Sequence, residues 1–244
     1  MNELSKRSKQ IRRDTYHLSK ANGGYHYGGA FSCIEILIAL YDFVIKPEDK
    51  FILSKGHACW PLYVLLREKG YRPDLGGHPT LDEENGISFT TGSEGHGLPG
   101  GIGMALARKI QNKPGRIFVL MGDGECQEGT TWEGLLMASH HRLDNLVVIV
   151  DYNKFQGAGA VADILPIGNI IEIARTLKWD GIYVDGHNIE LLKIALSAHI
   201  KEKPIFIVAN TIKGKGISFM EGKAEWHAKF PNKDEEDIIL KELK

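Results

Sequence analysis

The chain has 244 residues, of which 43% are hydrophobic and 25% are charged, with a formal net charge of −1. This composition is typical of a globular domain and excludes recruitment of nucleic acid or an anionic membrane through overall charge. No apolar run reaches the roughly 18 residues of a membrane-spanning helix, so we expect no membrane partner. Residues 1–13 lack the apolar core of a secretion signal. The three cysteines lack metal-ligand spacing and indicate a reducing compartment, so we expect a cytoplasmic protein.

Hydrophobic periodicity predicts helices and strands in alternation. A charged amphipathic helix is predicted over residues 3–20, with its basic cluster from Lys6 to Arg13 on the solvated face. A glycine-rich loop from Gly23 to Gly29 follows, and then a buried helix over 32–41. Further helices are predicted over 60–69, 100–111, 128–141, 169–178, 188–201 and 233–244. Strands are predicted over 51–53, 117–121, 146–151, 182–185 and 205–210, and long loops over 70–98 and 211–232.

This alternation predicts an α/β fold, a parallel sheet with helices on both faces and a helical extension at the N-terminus. We expect one domain over residues 1–244. In the helix over 128–141, the spacing of Trp132, Leu135 and Leu136 predicts the face that packs on the core. Ligands of such sheets bind beyond the carboxyl ends of the strands, so we expect the functional site there.

Hard oxygen ligands follow two successive strands. Asp123 lies between two glycines directly after the strand over 117–121, and Asn153 follows the strand over 146–151. Glycine lets the backbone approach a ligand, and a helix N-terminus presents free N–H groups to an anion. A lone Gly-Asp-Gly is usually a turn, and Asn at a strand end is usually a cap. Joined by a strand–helix–strand unit, the two predict a site for Mg²⁺ and a diphosphate.

The segment over 122–156, GDGECQEGTTWEGLLMASHHRLDNLVVIVDYNKFQ, resembles the thiamine-diphosphate motif of transketolases. Four more segments resemble that family in its order: LSKGHA at 53–58, TTGSEGHGLPGGIGMALA at 90–107, TIKGKGISFME at 211–221 and EWHAKFPN at 225–232. The likeness extends over nearly the whole chain, from residue 21 to 232. It implies the thiamine-diphosphate-binding fold, with thiamine diphosphate and Mg²⁺ (or Ca²⁺) as cofactors.

The resemblance implies catalytic roles for four histidines. His26, which precedes a Gly-Gly pair, and His78, in GGHPT, match histidines that bind substrate. His57 matches a histidine that contacts the diphosphate near the reacting carbon, and His227 matches one that touches both diphosphate and substrate. Tyr25 is an extra residue relative to the family's spacing, so the path of the His26 loop stays open. His96 could equally be structural or functional, and we interpret His140 and His141 as structural.

The resemblance also implies a set of cofactor and metal contacts. Lys213 matches a lysine directed at the diphosphate. A cation suits that position because Mg²⁺ neutralises only part of the diphosphate charge. Gly92, Ser93 and Glu94 match the segment that lines the cofactor rings, although the family usually has leucine where Glu94 stands. A carboxylate there could face solvent, pair with a partner's cation or alter the cofactor pocket.

Three further positions complete that set. Gly124 lies in the diphosphate-binding turn, and Phe155 matches the position whose backbone carbonyl joins Asp123 and Asn153 as metal ligands. Glu128 matches a glutamate near the interface between paired cofactor domains. It is equally explained as an acidic residue at a helix N-terminus.

Full transketolases are longer and carry a pyrimidine-binding domain and a third domain after this one. The resemblance assigns the glutamate that activates the cofactor, and the cations that hold a sugar phosphate, to the missing part. We therefore expect the N-terminal subunit of a two-subunit transketolase, which moves a two-carbon ketol unit from a ketose to an aldose. Its partner would carry the pyrimidine-binding domain in an α2β2 heterotetramer acting on sugars or sugar phosphates. We expect the charged segment over 233–244 to be a natural end, with truncation of a longer enzyme as the alternative.

Three other functions stay open. The α subunit of a 2-oxo acid dehydrogenase shares the Gly-Asp-Gly and Asn pattern, but the segments SKGH, EGTTWEG and EWHAK argue against it. A deoxyxylulose-phosphate synthase is disfavoured for the same reason. A non-catalytic scaffold subunit stays possible because Glu94 and the His26 loop depart from the family pattern.

Overall fold

The computed structural model describes residues 2–244 and contains a five-stranded parallel sheet with helices on both faces. Its strands are β1 (Lys50–Leu53), β2 (Ile117–Gly122), β3 (Leu146–Tyr152), β6 (Asp180–Asp185) and β7 (Ile205–Asn210). A short antiparallel hairpin follows β3 and is formed by β4 (Phe155–Gln156) and β5 (Gly159–Ala160). The strand order is β1-β2-β3-β7-β6, which confirms the predicted α/β fold.

The helices lie mainly between the strands. In chain order they are α1 (Glu3–Ala21), α2 (Tyr27–Ser32), α3 (Ile34–Ile38), α4 (Trp60–Glu68), α5 (Gly97–Ile110), α6 (Gly129–His140), α7 (Val161–Ile164), α8 (Ile170–Thr176), α9 (Ile189–Ser197) and α10 (Lys233–Glu242). Within residues 2–244, no helix is both long enough and apolar enough to cross a membrane.

Separate hydrophobic clusters cover the two faces of the sheet. In β3, Val147 and Ile149 belong to one cluster, whereas Val148 and Val150 belong to the other. Successive side chains of a strand point to opposite faces, so a strand that is covered on both sides is apolar at every position. This explains the continuous apolar runs of the inner strands.

The register aligns the carboxyl ends of the three inner strands. Gly122 of β2 pairs with Asp151 of β3, and Tyr152 of β3 pairs with Asn210 of β7. The residues that follow these pairs therefore emerge at the same edge of the sheet. This edge is where the sequence placed the functional site.

The limits predicted for the glycine-rich loop and for the single buried helix after it are wrong. The helical backbone resumes at Tyr27, is interrupted at Cys33, and ends in a π-helical turn over Ala39–Val44. Gly28 lies inside α2, where a Cβ atom would come within 2.7 Å of the Trp226 carbonyl oxygen. Glycine is needed here for close packing against a distant segment.

Two side chains were assigned to the wrong environment. Leu136 was expected to pack on the core, but it is 56% exposed, whereas Leu135 is fully buried and Trp132 is partly buried. Small residues at Thr131, Gly134 and Ala138 complete the buried face of α6 instead. On α1, Arg12 leaves the predicted solvated face and is buried in contact with Glu35.

Candidate active site

The carboxyl ends of four strands contribute polar side chains to one region. Lys55 and His57 follow β1, and Asp123 follows β2. Asp151 and Asn153 lie at the end of β3, and Thr211 and Lys213 follow β7. Most are buried, although polar groups are normally exposed. A concentration of buried polar groups at this edge is typical of a ligand site in a parallel sheet.

Asp151 is the hub of this region. Its carboxylate is fully buried and accepts hydrogen bonds from the Lys55 ammonium group and from the hydroxyls of Ser32 and Thr211. The side-chain amide of Asn153 donates to it at 3.3 Å. Burial opposes ionisation, but Lys55 outweighs it and holds the pKa of Asp151 below its ordinary value. The hub therefore joins the ends of β1, β3 and β7 to α2.

Sequence reasoning assigned no role to Lys55, Ser32, Asp151 or Thr211. The signal was present in part, because Lys55 and Asp151 each lie at the end of an apolar strand. A charge in such a position requires a partner once it is buried.

Asp123 is buried in a different environment. One carboxylate oxygen accepts the N–H of Gly124 at 2.9 Å, and the other accepts the N–H of Lys154. The second bond joins the end of β2 to the residue after Asn153, so the two predicted metal ligands are brought together. Burial, together with the nearby Asp151 charge, raises the pKa of Asp123 to about 7. A divalent cation beside this carboxylate would favour its ionised form.

Asn153, Phe155 and Lys213 meet next to Asp123. The side-chain oxygen of Asn153 accepts the N–H of Phe155 at 3.1 Å, and the carbonyl of Phe155 accepts from the Lys213 ammonium group at 3.4 Å. Burial, together with the nearby Lys55, lowers the pKa of Lys213 to about 8. An anion at this position would stabilise the charged form of Lys213.

Three of the predicted histidines form a cluster above the strand ends. The ring centroids of His26 and His57 are 5.3 Å apart, those of His26 and His227 are 5.3 Å apart, and those of His57 and His227 are 4.9 Å apart. Burial lowers the pKa of all three, to about 4 for His26 and about 3 for His227. At neutral pH the rings are therefore uncharged, and each can both donate and accept a hydrogen bond.

The extra residue Tyr25 does not displace His26 from this cluster. His26 Nδ1 donates to the carbonyl oxygen of His227, which fixes the ring. Tyr25 turns outward, with its ring 4.4 Å from the His26 ring and 4.9 Å from that of Phe230. The insertion is thus accommodated as an exposed aromatic pair at the rim of the site.

The remaining predicted histidines differ in their placement. His78 is exposed at the border of the site, where its ring lies 3.2 Å from the position of a Cβ atom on Gly56. His96 is exposed and contacts the carbonyl of Glu94 rather than the cluster. His140 and His141 lie at the end of α6, away from the strand ends.

The segment over 92–97 borders the histidine cluster. Gly92 and Ser93 are exposed, and the Glu94 carboxylate lies 3.1 Å from Nδ1 of His57. Glu94 therefore turns into the site of its own chain, one of the possibilities that the sequence left open. Glu128 is an exposed N-cap of α6 whose side chain makes no capping hydrogen bond, and its Cβ packs close to Gly95.

The residues present fit a divalent cation and a diphosphate. Nδ1 of His227 is buried without a hydrogen-bond partner in the described part of the chain, and it borders the site. No cluster of three His, Cys, Asp or Glu side chains that could hold a metal occurs within residues 2–244. An ion held here would instead take the Asp123 carboxylate, the Asn153 amide oxygen, the Phe155 carbonyl and oxygens of the anion. Mixed oxygen ligation of this kind is usual for Mg²⁺ bound with phosphates.

Comparisons with known proteins identify a family. Residues 14–243 match the family described as "Transketolase, thiamine diphosphate binding domain". The chain is 37% identical to an apulose-4-phosphate transketolase subunit of Actinobacillus succinogenes, covering 99% of this chain and 96% of that protein. It is 37% identical to a 6-deoxy-6-sulfo-D-fructose transketolase subunit of Clostridium sp., covering 92% of this chain and 90% of that protein.

The fold matches solved transketolases. The structure superposes on the transketolase of Campylobacter jejuni with a TM-score of 0.84 and 25% identity, covering 100% of this chain but 43% of that one. The chain therefore spans less than half of the length of that solved relative. The matches favour the predicted transketolase family over the 2-oxo acid dehydrogenase and deoxyxylulose-phosphate synthase alternatives.

Proposed function

Because the chain belongs to the transketolase family, we propose that it is the diphosphate-binding subunit of a two-subunit transketolase. Together with a partner that carries the pyrimidine-binding domain, it transfers a two-carbon ketol unit from a ketose to an aldose. The observation that carries this proposal is the convergence of Asp123, Asn153 and Lys213 at adjacent strand ends. That convergence occurs in a chain that aligns over most of its length with relatives that are themselves named as transketolase subunits.

In this proposal Asp123, Asn153 and the carbonyl of Phe155 ligate Mg²⁺ or Ca²⁺. Lys213 and His227 hold the diphosphate, and Gly124 lets its backbone approach the ligand. The unpartnered Nδ1 of His227 and the depressed pKa of Lys213 support this assignment, because both groups gain a partner when an anion binds. Thiamine diphosphate, when bound, supplies the nucleophilic carbon that carries the two-carbon unit.

The histidine cluster is assigned to substrate. His26 and His78 bind hydroxyl groups of the sugar, and His57 and His227 lie between substrate and cofactor. The rings of His26 and His227 are uncharged at neutral pH and suit this role, since each offers one donor and one acceptor to a hydroxyl. Gly92, Ser93 and Glu94 line the cofactor rings, and Glu128 lies at the interface with the partner.

The described cysteines Cys33, Cys59 and Cys126 are buried free thiols. Reduced thiols support the proposal that the protein is cytoplasmic. Sugars or sugar phosphates are the proposed substrates, because two relatives are named as transketolases of apulose-4-phosphate and of 6-deoxy-6-sulfo-D-fructose.

Calorimetric titration with thiamine diphosphate tests the proposed ligands. We expect heat of binding when Mg²⁺ is present, and loss of this Mg²⁺-dependent binding by at least tenfold in Asp123→Ala with an unchanged circular dichroism spectrum. Asp237→Ala, an exposed change on α10, is the matched control and should bind as the unmodified chain does. Equal Mg²⁺-dependent affinity in Asp123→Ala and the control would refute the metal assignment.

A further inference from the structure

Glu94 contacts His57, a residue that lies far from it in the sequence. Its carboxylate oxygen Oε1 lies 3.1 Å from Nδ1 of His57, whose side chain is 13% exposed. An ionised carboxylate accepts hydrogen bonds and does not donate, so a hydrogen bond across this contact requires Nδ1 of His57 to be the donor. A histidine that is neutral and donates from Nδ1 carries its lone pair on Nε2.

We propose that Glu94 is a positioning residue that holds His57 in the Nδ1–H tautomer, with Nε2 free beside the histidine cluster. The catalytic consequence rests on the proposed transketolase function, whereas the contact itself does not. This pairing is separate from the Asp151 hub, because it joins a loop residue to the ring rather than one strand end to another.

The backbone directly after Glu94 is held by hydrogen bonds. The N–H of Gly95 donates to the buried Glu125 carboxylate at 2.8 Å, and the carbonyl of Gly95 accepts from the Thr130 hydroxyl at 2.9 Å. Glu125 in turn accepts from the N–H of Gly122 at 2.8 Å, at the end of β2. The loop that carries Glu94 is therefore attached to the same strand end that presents Asp123, and Glu94 is held in reach of His57.

The electrostatic surroundings of His57 give Glu94 its importance. Burial is the largest influence that lowers the pKa of His57, and Lys55 and Lys213 add to it. The rings of His26 and His227 face it from α2 and from the segment after β7. Glu94 supplies the opposing negative charge, and the hydrogen bond from His57 holds the pKa of Glu94 below its ordinary value although burial opposes this.

A carboxylate on one ring nitrogen makes the other nitrogen more basic and fixes the plane of the ring. Nε2 of His57 can then accept a proton or a hydrogen bond at a defined point beside His26 and His227. A leucine in place of Glu94 would leave the Nδ1 proton without this acceptor. The ring would then be free to rotate or to change tautomer.

Nitrogen-15 NMR of the histidine rings in the isolated chain tests the contact without the partner or the cofactor. The His57 signal is identified by its absence in His57→Gln. We expect the Nδ1–H tautomer in the unmodified chain and in Glu94→Gln, whose amide oxygen still accepts the proton. Glu94→Leu should lose this preference, and the pKa of His57 should fall in both variants because the negative charge is gone.

Glu84→Leu, an exposed change in the same long loop, should leave the His57 signal unchanged. An Nε2–H tautomer in the unmodified chain, or an unaltered His57 signal in Glu94→Leu, would overturn the proposal. Because these measurements use the isolated chain, they hold even if ketol transfer is never observed.

The positioning role is tested in the enzyme reconstituted with its partner. We expect Glu94→Leu to lower kcat about tenfold or more and to alter its pH profile, with a smaller change in the Kd for thiamine diphosphate. Glu94→Gln should retain more activity than Glu94→Leu, because it preserves the hydrogen bond. Equal kcat and equal pH profiles in the three proteins would overturn the role. A reconstituted unmodified enzyme without ketol transfer would contradict the proposed function instead.

Discussion

Two carboxylates at neighbouring strand ends are buried in opposite electrostatic states. Asp151 is paired with Lys55, and its pKa lies below the ordinary value, whereas burial raises the pKa of Asp123 to about 7. A buried charge that is already paired holds structure together, and one that lacks a cation is available to bind one. This difference supports the proposal that Asp151 holds the frame of the site together and that Asp123 binds the cation.

Alanine at His26 should impair turnover more than cofactor binding. The His26 ring lies 5.3 Å from the His57 ring, and its Nδ1 donates to the carbonyl of His227. We expect kcat/KM of the reconstituted enzyme to fall by about 100-fold or more, the usual scale for a group that handles a proton or a hydroxyl. The Kd for thiamine diphosphate should change by less than about threefold. Steady-state kinetics and calorimetry measure the two quantities separately.

His227→Ala should lower kcat/KM and also weaken the binding of thiamine diphosphate, because His227 borders the proposed diphosphate site next to Lys213. His199→Ala, at an exposed position after α9, serves as the matched control and should change neither. An unchanged kcat/KM in His26→Ala would show that His26 does not bind substrate, even though Tyr25 leaves it in the cluster.

At the residue scale, the sequence predicted groups whose chemistry follows from local position. Asp123 between glycines and Asn153 after a strand were found in this way, and the structure brings them together. The Lys55–Asp151 and Glu94–His57 pairs were not predicted, because each joins segments far apart in the chain. Local patterns do not contain the distance between such segments.

At the scale of elements, a buried ion network attaches α1 to the sheet. The guanidinium of Arg12 donates to both oxygens of Glu35, on α3, at 2.6 and 2.8 Å. His187, after β6, donates to Glu35 from Nδ1 at 2.9 Å, and Arg12 also donates to the carbonyl of Lys215 at 2.7 Å. The network therefore joins four segments, which are α1, α3, the residues after β6 and the loop that carries Lys213 and Lys215.

Glu35→Gln should destabilise the fold and make the free energy of unfolding less dependent on pH in the acid range. Burial would raise the pKa of Glu35, but Arg12 and His187 outweigh it and lower the pKa from 4.5 to about 2. A lowered pKa means that Glu35 stabilises the fold above about pH 4.5 and that this contribution is lost as the pH falls towards 2. We expect a loss of about 3–5 kcal/mol at pH 7, the usual cost of leaving a buried charge unpaired, and a smaller difference near pH 3.

Urea unfolding of the isolated chain at several pH values measures this loss. Glu172→Gln is the matched control, since Glu172 pairs with Arg175 on the surface of α8. Such exposed pairs contribute about 0–1 kcal/mol, so the control should differ little from the unmodified chain. A Glu35→Gln difference that stays constant from pH 7 to pH 3 would contradict the linkage to this carboxyl.

Element positions were predicted better than element limits and faces. Every strand of the main sheet was expected near its observed place. The inner strands were identified by their continuous apolar runs, which are typical of strands buried on both faces. The inclusion of Gly28 in α2 was missed, since tight packing against Trp226 decides it. The interruption at Cys33 was missed as well. Leu136 was misplaced because small residues, rather than a second leucine, complete the buried face of α6.

At the scale of the whole molecule, the chain matches one part of a larger architecture. It aligns with 96% of the Actinobacillus succinogenes transketolase subunit but with 43% of a solved transketolase chain. The strand ends hold residues suited to a diphosphate and a cation. In the proposed function, the remaining cofactor contacts and the activating glutamate belong to the partner subunit.

The chain purified alone should therefore show no ketol transfer and should gain it with a partner that carries the pyrimidine-binding domain. A cofactor held at the diphosphate end alone lacks the group that activates it, and its affinity for the isolated chain should be weak. We expect the complex to be a heterotetramer with two copies of each chain, since closed symmetric assemblies are the usual outcome for oligomers. Glu128, which is exposed in the single chain, and Glu94, whose side chain is 44% exposed, should lie near the new interface. A transketolase assay combined with light scattering would measure activity and mass together. Turnover by the isolated chain at the rate of the complex would contradict the two-subunit proposal, because it would require an activating acid among residues 1–244.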